Sequence, residues 1–207
     1  MVANAPGDVI GRVRTPEAVQ RWLRSVPYNH ETTGRSLRAL HGVLRHGTAH
    51  CLEAALAAAG LLEPHGYPPL LLDLESDDGL DHVVFAFRRR GRWGAVGTSR
   101  DVGLFGRRPV YPSPWHLARS YYAPYVTDRA RIRAWALADL RALPRCPWRT
   151  SAGNVWQVER WLIAHPHRPL RTSDRAYRRM VARYRRYRAR GGPASGTPFV
   201  AHRAHWM

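Results

Sequence analysis

The first part of the chain contains three stretches in which apolar residues recur every three or four positions, the spacing of a helix with one buried face. The first begins at Thr15 and Pro16, which suit an N-cap and a first helical position. The second covers residues 33–45, and the third begins with Thr48 as its N-cap. The pattern therefore predicts three helices behind a loose leader over residues 1–14.

After the third helix the pattern changes to short apolar runs and β-branched residues, which are typical of strands. Residues 68–74 form one such run, 81–87 a second and 93–97 a third, with a Gly-containing turn at 88–92. Strands joined by a short turn pair as antiparallel neighbours. The sequence therefore predicts a small antiparallel sheet that follows the helices.

Helical spacing returns in the second half of the chain. The helices predicted there cover residues 113–122, 131–143, 151–164 and 173–190. A chain of 207 residues, of which 44% are hydrophobic, can build a core of its own. We predict an α+β fold, with a core domain over residues 1–170, an Arg-rich C-terminal helix over 171–190 and a flexible tail over 191–207.

The composition adds a formal charge of +18, which is typical of proteins that bind nucleic acid or acidic partners. All 33 basic residues are Arg and the chain contains no Lys, a bias that GC-rich coding also produces without selection for a partner. The charge alone therefore does not decide between a nucleic-acid-binding protein and other classes.

Cysteine use and hydropathy indicate the compartment. Cys51 and Cys146 are too few for a disulfide-based scaffold. The N-terminal sequence has no basic segment followed by an apolar run, so we expect no signal peptide. Apolar stretches in the sequence are too short to cross a bilayer. We expect a cytoplasmic protein with reduced thiols and no membrane association.

Cys51 lies where a helix can activate a thiol. A nucleophilic cysteine must ionise, and the unpaired N–H groups at a helix start favour the thiolate. With Thr48 as the N-cap, Cys51 falls in the first turn of the third helix, whose many Ala residues suit a buried central position. The same N–H groups can stabilise the oxyanion of an acyl-transfer reaction. Cys51 is therefore the candidate nucleophile.

His82, on the second predicted strand, is the candidate general acid and base for Cys51. A third polar group usually orients such a histidine. Ser99 and Asp101, which follow the third strand, are the main candidates for that role, and Thr98 is less suited. A Cys–His dyad without a third member is a further alternative.

These segments resemble the transglutaminase-like superfamily, which has the papain-like fold, and within it a bacterial group of mostly uncharacterised function. The segments that resemble this group are residues 47–55, 81–84, 92–99, 108–111 and 117–122. The resemblance implies a central nucleophile helix packed on a small antiparallel sheet, with additional helices towards the C-terminus. It also implies a cysteine-dependent acyl-transfer enzyme that needs no cofactor.

One position departs from the wider superfamily. Typical members place an Asp-Pro pair at the end of the strand that follows the histidine, where this chain has Gly97-Thr98. The third catalytic member is therefore open between Ser99, Asp101 and none.

Four further residues have predicted roles near the site. His50 and Trp93 are the candidate substrate-binding residues, although a structural role for His50 is equally open, because neighbours on a helix point about 100° apart. Glu53 is predicted to interact with the helix dipole, and Asp73 to pair with an Arg. The spacing of Cys and His matches no zinc motif, so we expect no metal site.

The sequence favours a cysteine peptidase, amidase or acyltransferase that forms a thioester with a peptide or protein substrate. Whether water or an amine resolves the thioester is open. The alternative is a non-catalytic binding module of the same fold, whose basic C-terminal helix contacts an acidic protein or nucleic acid. That helix could equally dock by its apolar stripe and leave a solvated Arg face. No sequence feature indicates the oligomeric state.

Overall fold

The computed structural model describes residues 6–143 and 145–207. The α-helices of these residues are α1 (Pro6–Arg12), α2 (Pro16–Ser25), α3 (Leu40–His46), α4 (Cys51–Leu62), α5 (Pro114–Tyr125), α6 (Trp156–Ile163) and α7 (Asp174–Ala189). The strands are β1 (Leu70–Ser76), β2 (His82–Arg89), β3 (Arg92–Val96), β4 (Arg107–Tyr111), β5 (Ile132–Asp139) and β6 (Arg168–Pro169).

The strands form one antiparallel sheet in the order β4-β3-β2-β1-β5-β6. The three predicted strands are β1, β2 and β3, and they pair as antiparallel neighbours as expected. The predicted α+β class is confirmed, and the arrangement is consistent with a small papain-like core. In the described part of the chain, no helix has both the length and the apolar character required to cross a bilayer.

Helix α4 packs on one face of the sheet and is the central helix of the fold. Small side chains between Ala54 and Ala59 are fully buried, so the helix lies close to its neighbours. Leu71, Phe85 and Phe87 complete this side of the core. This packing fixes Cys51, the first residue of α4, relative to the start of β2.

The other face of the sheet is covered mainly by α5 and α7. Alternate side chains of β1 and β2, such as Leu72 and Val84, pack there against Tyr121, Tyr122 and Tyr184. Since side chains alternate along a strand, His82 at the start of β2 lies on this second face. Its ring centroid is 5.7 Å from that of Tyr121 on α5.

The segment from residue 131 to 143, predicted as a helix, is strand β5 for most of its length. Its Arg, Ala and Leu residues favour helices in isolation, but pairing along the whole of β1 overrides that preference. Trp135, for example, lies opposite Leu74, and Leu137 lies opposite Leu72.

Several helix boundaries also differ from prediction. Residues 6–12 of the predicted leader form α1, whereas α3 and α6 are shorter than expected. Both are shortened because the chain near Arg38 is extended and pairs with Asn154 through an isolated β-bridge. Helix α4 begins two residues later than predicted, with His50 in place of Thr48 as its N-cap, because Ala49 pairs with the backbone of the segment before α3.

Candidate active site

The thiol of Cys51 lies at the first position of α4, where the helix N–H groups have no intrahelical acceptor. The half-buried side chain points towards the start of β2, and Sγ is 3.9 Å from the carbonyl oxygen of Asp81. Asp81 directly precedes His82, so the register of β2 brings the predicted nucleophile and the predicted base together.

His82 is buried, with 3% of its surface exposed. Nε2 lies 2.7 Å from the carbonyl oxygen of Leu104, so it donates a hydrogen bond to the main chain. With Nε2 engaged in this way, Nδ1 is the nitrogen that can interact with Cys51, whose pKa His82 lowers. A backbone carbonyl therefore holds the imidazole in the orientation and tautomer that suit a general base.

A second imidazole also contacts the thiol. His50 Nε2 donates to the carbonyl oxygen of Ser36 at 3.0 Å, and the residue directly precedes Cys51 as the N-cap of α4. Burial alone would raise the pKa of the Cys51 thiol, but the hydrogen bonds and charges of His50 and His82 outweigh it and lower that pKa to about 5. The thiolate is therefore the favoured form at neutral pH.

The charge on His50 is stabilised in return. Burial opposes protonation of His50, but the hydrogen bond and charge of Cys51, followed by the charge of Glu53, raise the pKa of His50 to about 9. Cys51 and His50 thus form a thiolate–imidazolium pair on two consecutive residues. His50 also lines a groove of about 450 Å³ at the thiol, and its role in substrate binding stays a prediction.

Glu53 is fully buried one turn into α4 and organises the backbone around the thiol. Its carboxylate accepts hydrogen bonds from the backbone N–H of His50 at 3.1 Å and from the guanidinium of Arg38 at 2.6 and 2.9 Å. Asn29 and Ser36 donate two more, at 3.0 and 2.9 Å. Although burial opposes ionisation, the hydrogen bond from Arg38 and the charge of His50 lower the pKa of Glu53 to about 2. The predicted role as a dipole partner is only part of what this residue does.

Cys51 and His82 face a cavity of about 170 Å³, which we call the thiol cavity. Ser99 and Asp101 line it too, but each has another partner: Ser99 Oγ accepts from the Asp101 N–H at 3.1 Å, and Asp101 Oδ2 lies 3.2 Å from Arg100 Nε. The structure therefore brings both candidates to the site, while the Leu104 carbonyl occupies the position against His82 Nε2. Catalytic roles for Ser99 and Asp101 stay predictions.

Two predicted residues lie elsewhere. Trp93 is half-buried on β3 opposite Tyr111 and is not among the described residues that line the thiol cavity or the adjoining groove. Asp73 was expected to pair with an Arg, but its Oδ2 lies 3.2 Å from Nε2 of His167, which the turn before β6 brings against β1. Burial raises the pKa of Cys146, which makes it a chemical contrast to Cys51.

Sequence reasoning missed three groups at the site. Tyr28 and Arg100 line both the thiol cavity and the adjoining groove. Burial, followed by the charge of Cys51, raises the pKa of Tyr28 well above its usual value, so its hydroxyl remains a donor. The third, the Leu104 carbonyl, belongs to the main chain and leaves no signature in a sequence. Across residues 6–143 and 145–207, no three His, Cys, Asp or Glu side chains are grouped so as to hold a metal ion.

Comparison with known proteins adds one relative. No protein-family model matches the chain. A stretch of 165 residues is 26% identical to Tubulinyl-Tyr carboxypeptidase 1 of Mus musculus and covers 70% of this chain. The match covers 44% of the mouse protein, so the chain spans less than half the length of this relative. Similarity to a peptidase supports an enzyme of the peptidase kind and agrees with the papain-like superfamily that the sequence resembles.

Proposed function

We propose that the protein is a cysteine peptidase that cleaves an amide bond through Cys51 and His82. The observation that carries the proposal is the position of one thiol at a helix start, beside two imidazoles that lower its pKa. Each of these features favours the thiolate, which is the form that attacks a carbonyl carbon.

The reaction follows from this geometry. The Cys51 sulfur attacks the amide carbon, a C–S bond forms, and the carbonyl oxygen becomes an oxyanion. His82, which has taken up the proton released by the Cys51 thiol, delivers that proton to the leaving nitrogen, the C–N bond breaks, and a thioester remains on Cys51. Water, deprotonated by His82, then attacks the thioester, and cleavage of the C–S bond releases the acid and restores the thiolate. An amine in place of water would give acyl transfer by the same steps.

Two donors are available to the oxyanion. The N–H groups at the start of α4 lie beside the nucleophile, and Tyr28 lines the thiol cavity. A donor that is already aligned with the developing charge lowers the barrier to attack. Tyr28 is therefore our candidate for the side-chain donor of this site.

The name of the relative and the charge at the cavity both favour cleavage near a peptide C-terminus. Arg100 lines the thiol cavity, and its pKa is raised even though burial opposes this, because Asp101 hydrogen-bonds it. A guanidinium close to the nucleophile can bind the terminal carboxylate of a peptide in a bidentate manner. We infer carboxypeptidase activity, with Arg100 as the group that selects a free C-terminus.

Peptide hydrolysis followed by mass spectrometry tests the proposal. We expect purified protein to shorten peptides that have a free C-terminus and to leave the same peptides intact when the C-terminus is amidated. Cys51→Ala should abolish cleavage, and Cys146→Ala, the matched control, should retain it. Cleavage that survives in the Cys51→Ala variant would rule out the thiol mechanism.

Added amines and the Arg100→Gln variant refine the result. Capture of the acyl group by an added primary amine at the expense of hydrolysis would identify a transferase. Arg100→Gln should raise KM for free-carboxylate peptides roughly tenfold or more, as expected when one charged hydrogen bond is lost. An unchanged KM would exclude Arg100 as the carboxylate-binding group.

A second candidate function, which is compatible with the first, rests on a groove next to the thiol cavity. This basic groove of about 730 Å³ lies between α7 and the turn before β5, and its arginines are Arg100, Arg129, Arg185 and Arg188. Asp78 and Asp128 also line it, so the arginines outnumber the acids. We propose that it binds an acidic polypeptide segment, since peptide carboxylates can reach several guanidinium groups at once.

Binding of a fluorescent poly-Glu peptide tests the basic groove. The double variant Arg185→Gln and Arg188→Gln should weaken binding, whereas Arg178→Gln and Arg179→Gln, an equal charge change on exposed positions of the same helix, should not. Equal weakening by both pairs would mean that net charge alone attracts the peptide. Preference for an oligonucleotide over poly-Glu would favour nucleic acid as the partner.

A further inference from the structure

The acceptor loop, residues 103–106, presents the Leu104 carbonyl to His82. The loop is the last part of the connection between β3 and β4. Gly103 in it has a left-handed φ of +95°. A Cβ added at Gly103 would lie 2.9 Å from the side chain of Pro124, so the loop is tightly enclosed as well as sharply turned. The position of the acceptor oxygen therefore depends on what holds this loop.

Arg107, the first residue of β4, makes several hydrogen bonds to the acceptor loop. Its guanidinium donates to the carbonyl oxygens of Gly103 at 2.5 Å, Phe105 at 2.9 Å and Gly106 at 3.2 Å. The remaining donors reach Ser120 on α5, with Nε 3.2 Å from its Oγ. The planar fork of this side chain thus ties together residues on both sides of Leu104 and fastens them to a helix.

The surroundings of Arg107 are unusual for a buried charge. The side chain is fully buried, and in the described part of the chain no carboxylate lies within ion-pair distance of it. Its guanidinium carbon is 4.0 Å from the ring centroid of Tyr121 and 5.1 Å from that of Trp206. Burial lowers the pKa of Arg107. A buried cation that is satisfied by carbonyls and aromatic faces costs desolvation energy, and a residue used only for packing would avoid that cost.

Arg107 and His82 are also connected through Tyr121. The Tyr121 hydroxyl donates to the same Phe105 carbonyl that accepts from Arg107, at 3.0 Å. The Tyr121 ring also contacts the His82 imidazole, with 5.7 Å between the two ring centroids. One layer of side chains therefore holds both the acceptor loop and the imidazole that the loop orients.

We propose that Arg107 is a positioning residue for catalysis, which fixes the acceptor loop so that the Leu104 carbonyl stays against His82 Nε2. The inference rests on the proposed function, because His82 is taken as the base of Cys51. Without Arg107, the loop keeps its sequence but loses the donors that define where its carbonyls point. His82 then loses its acceptor, and its hydrogen bond to the thiol loosens.

The test uses the pH dependence of alkylation of Cys51 by iodoacetamide, resolved from Cys146 by mass spectrometry. The variants are Arg107→Met, which removes all donors, Arg107→Lys, which keeps the charge without the fork, and Ser120→Ala, which removes one acceptor. Arg108→Met, at an exposed position of the same strand, is the control. The other ionisable groups near the thiol are left intact: His50, the N-cap of α4, and Tyr28, Asp81, Arg100 and Asp101 around the cavity.

We expect the midpoint of Cys51 alkylation to rise by about one pH unit in Arg107→Met, since one hydrogen-bonded support of the thiolate is weakened. Arg107→Lys should lie between Arg107→Met and the parent protein, and Arg108→Met should match the parent. In NMR spectra, the hydrogen-bonded N–H proton of His82 should move upfield in Arg107→Met. A thermal shift without any change in the midpoint or in that proton would overturn the inference and leave Arg107 a purely structural residue.

Two further outcomes separate this inference from the proposed function. If Arg107→Met does not fold, Arg107→Lys and Ser120→Ala decide, and an unchanged midpoint in both overturns the role of Arg107. Absence of peptide cleavage by the parent protein would refute the proposed function. The alkylation midpoint would still report on whether Arg107 supports the contact between His82 and the thiol.

Discussion

Helices α4 and α7 differ in how many charged side chains they carry and in how far those side chains are buried. All residues of α4 except Cys51 and Gly60 are buried, and the one carboxylate it contains, Glu53, has a partner for each oxygen. In α7 only Tyr184 is buried, and the arginines along it are exposed to solvent. The same protein thus contains one helix with few, dehydrated charges and another with many hydrated ones.

Burial decides how strongly a charged side chain can affect its neighbours in this protein. Buried and half-buried groups at the start of α4 interact strongly, so two imidazoles are enough to lower the pKa of a thiol. Hydrated arginines on α7 are screened by salt, so each contributes little and they act together. We therefore propose that α4 carries the site chemistry and that α7 attracts a charged partner.

Glu53→Ala provides the largest expected contrast between the helices. Removal of this carboxylate leaves the buried Arg38 guanidinium unpaired, and we expect the free energy of unfolding to fall by about 3–5 kcal/mol. Arg179→Ala, on the exposed face of α7, should change it by no more than about 0.5 kcal/mol. Urea denaturation measures both, and equal effects would refute the contrast.

Acid should act on the start of α4 more than on α7. The pKa of Glu53 is about 2 in the folded protein, against an ordinary value of 4.5, so the unfolded chain binds the extra proton between these pH values. Stability from this group is complete above pH 4.5 and is lost as the pH falls towards 2, at a rate of about 1.4 kcal/mol per pH unit at most. Glu53→Gln should flatten this part of the pH profile in urea titrations, and a profile as steep as that of the parent would show that other carboxylates dominate.

His50→Gln separates the effect of His50 on the thiol from that of His82. The variant leaves His82 as the single imidazole on the thiol, and we expect the pH midpoint of Cys51 alkylation to rise by about 1–2 units. His46→Gln, at an exposed position on α3, is the matched control and should leave the midpoint near 5. An unchanged midpoint in His50→Gln would mean that His82 alone stabilises the thiolate.

Ionic strength should affect the basic groove and the thiol differently, without any change to the protein sequence. A rise from low to high salt should weaken binding of an acidic peptide at the basic groove, because exposed guanidinium charges are screened. The rate of Cys51 alkylation at neutral pH should change less than about twofold, since the thiolate and His50 are partly buried neighbours and salt screens such short-range interactions little. A large salt effect on alkylation would show that distant arginines contribute to thiol activation.

The sequence predicted that Cys51 and His82 belong to one site but not what surrounds them. Cys51 and His82 could be placed from the sequence because a helix start and a strand each have a periodic pattern. The Glu53–Arg38 pair could not be predicted, because the extended segment before α3, which has no such pattern, brings the two residues together. Ser99 and Asp101 were reasonable candidates for a third group, and they do line the cavity, but a sequence cannot reveal a main-chain acceptor.

The fold was predictable to a similar depth. The first three strands alternate clearly, whereas β5 consists of residues that also suit a helix, and only its neighbour β1 decides the outcome. Residues 191–207, predicted to be a flexible tail, include the buried Phe199, and Val102 donates a backbone hydrogen bond to Ser195 at 2.6 Å. Such contacts depend on the complete tertiary structure and are invisible to a reading of local pattern.

The main-chain partner of His82 has an evolutionary consequence. An acid or amide in that role can be lost by one codon change, but a carbonyl is present whatever residue occupies position 104. Leu104 is buried, so selection on its side chain concerns packing. Searches for relatives that require an acidic third residue would therefore overlook proteins built in this way, and a pattern that pairs the Cys and His with a buried Arg after a glycine-bounded loop would find them more readily.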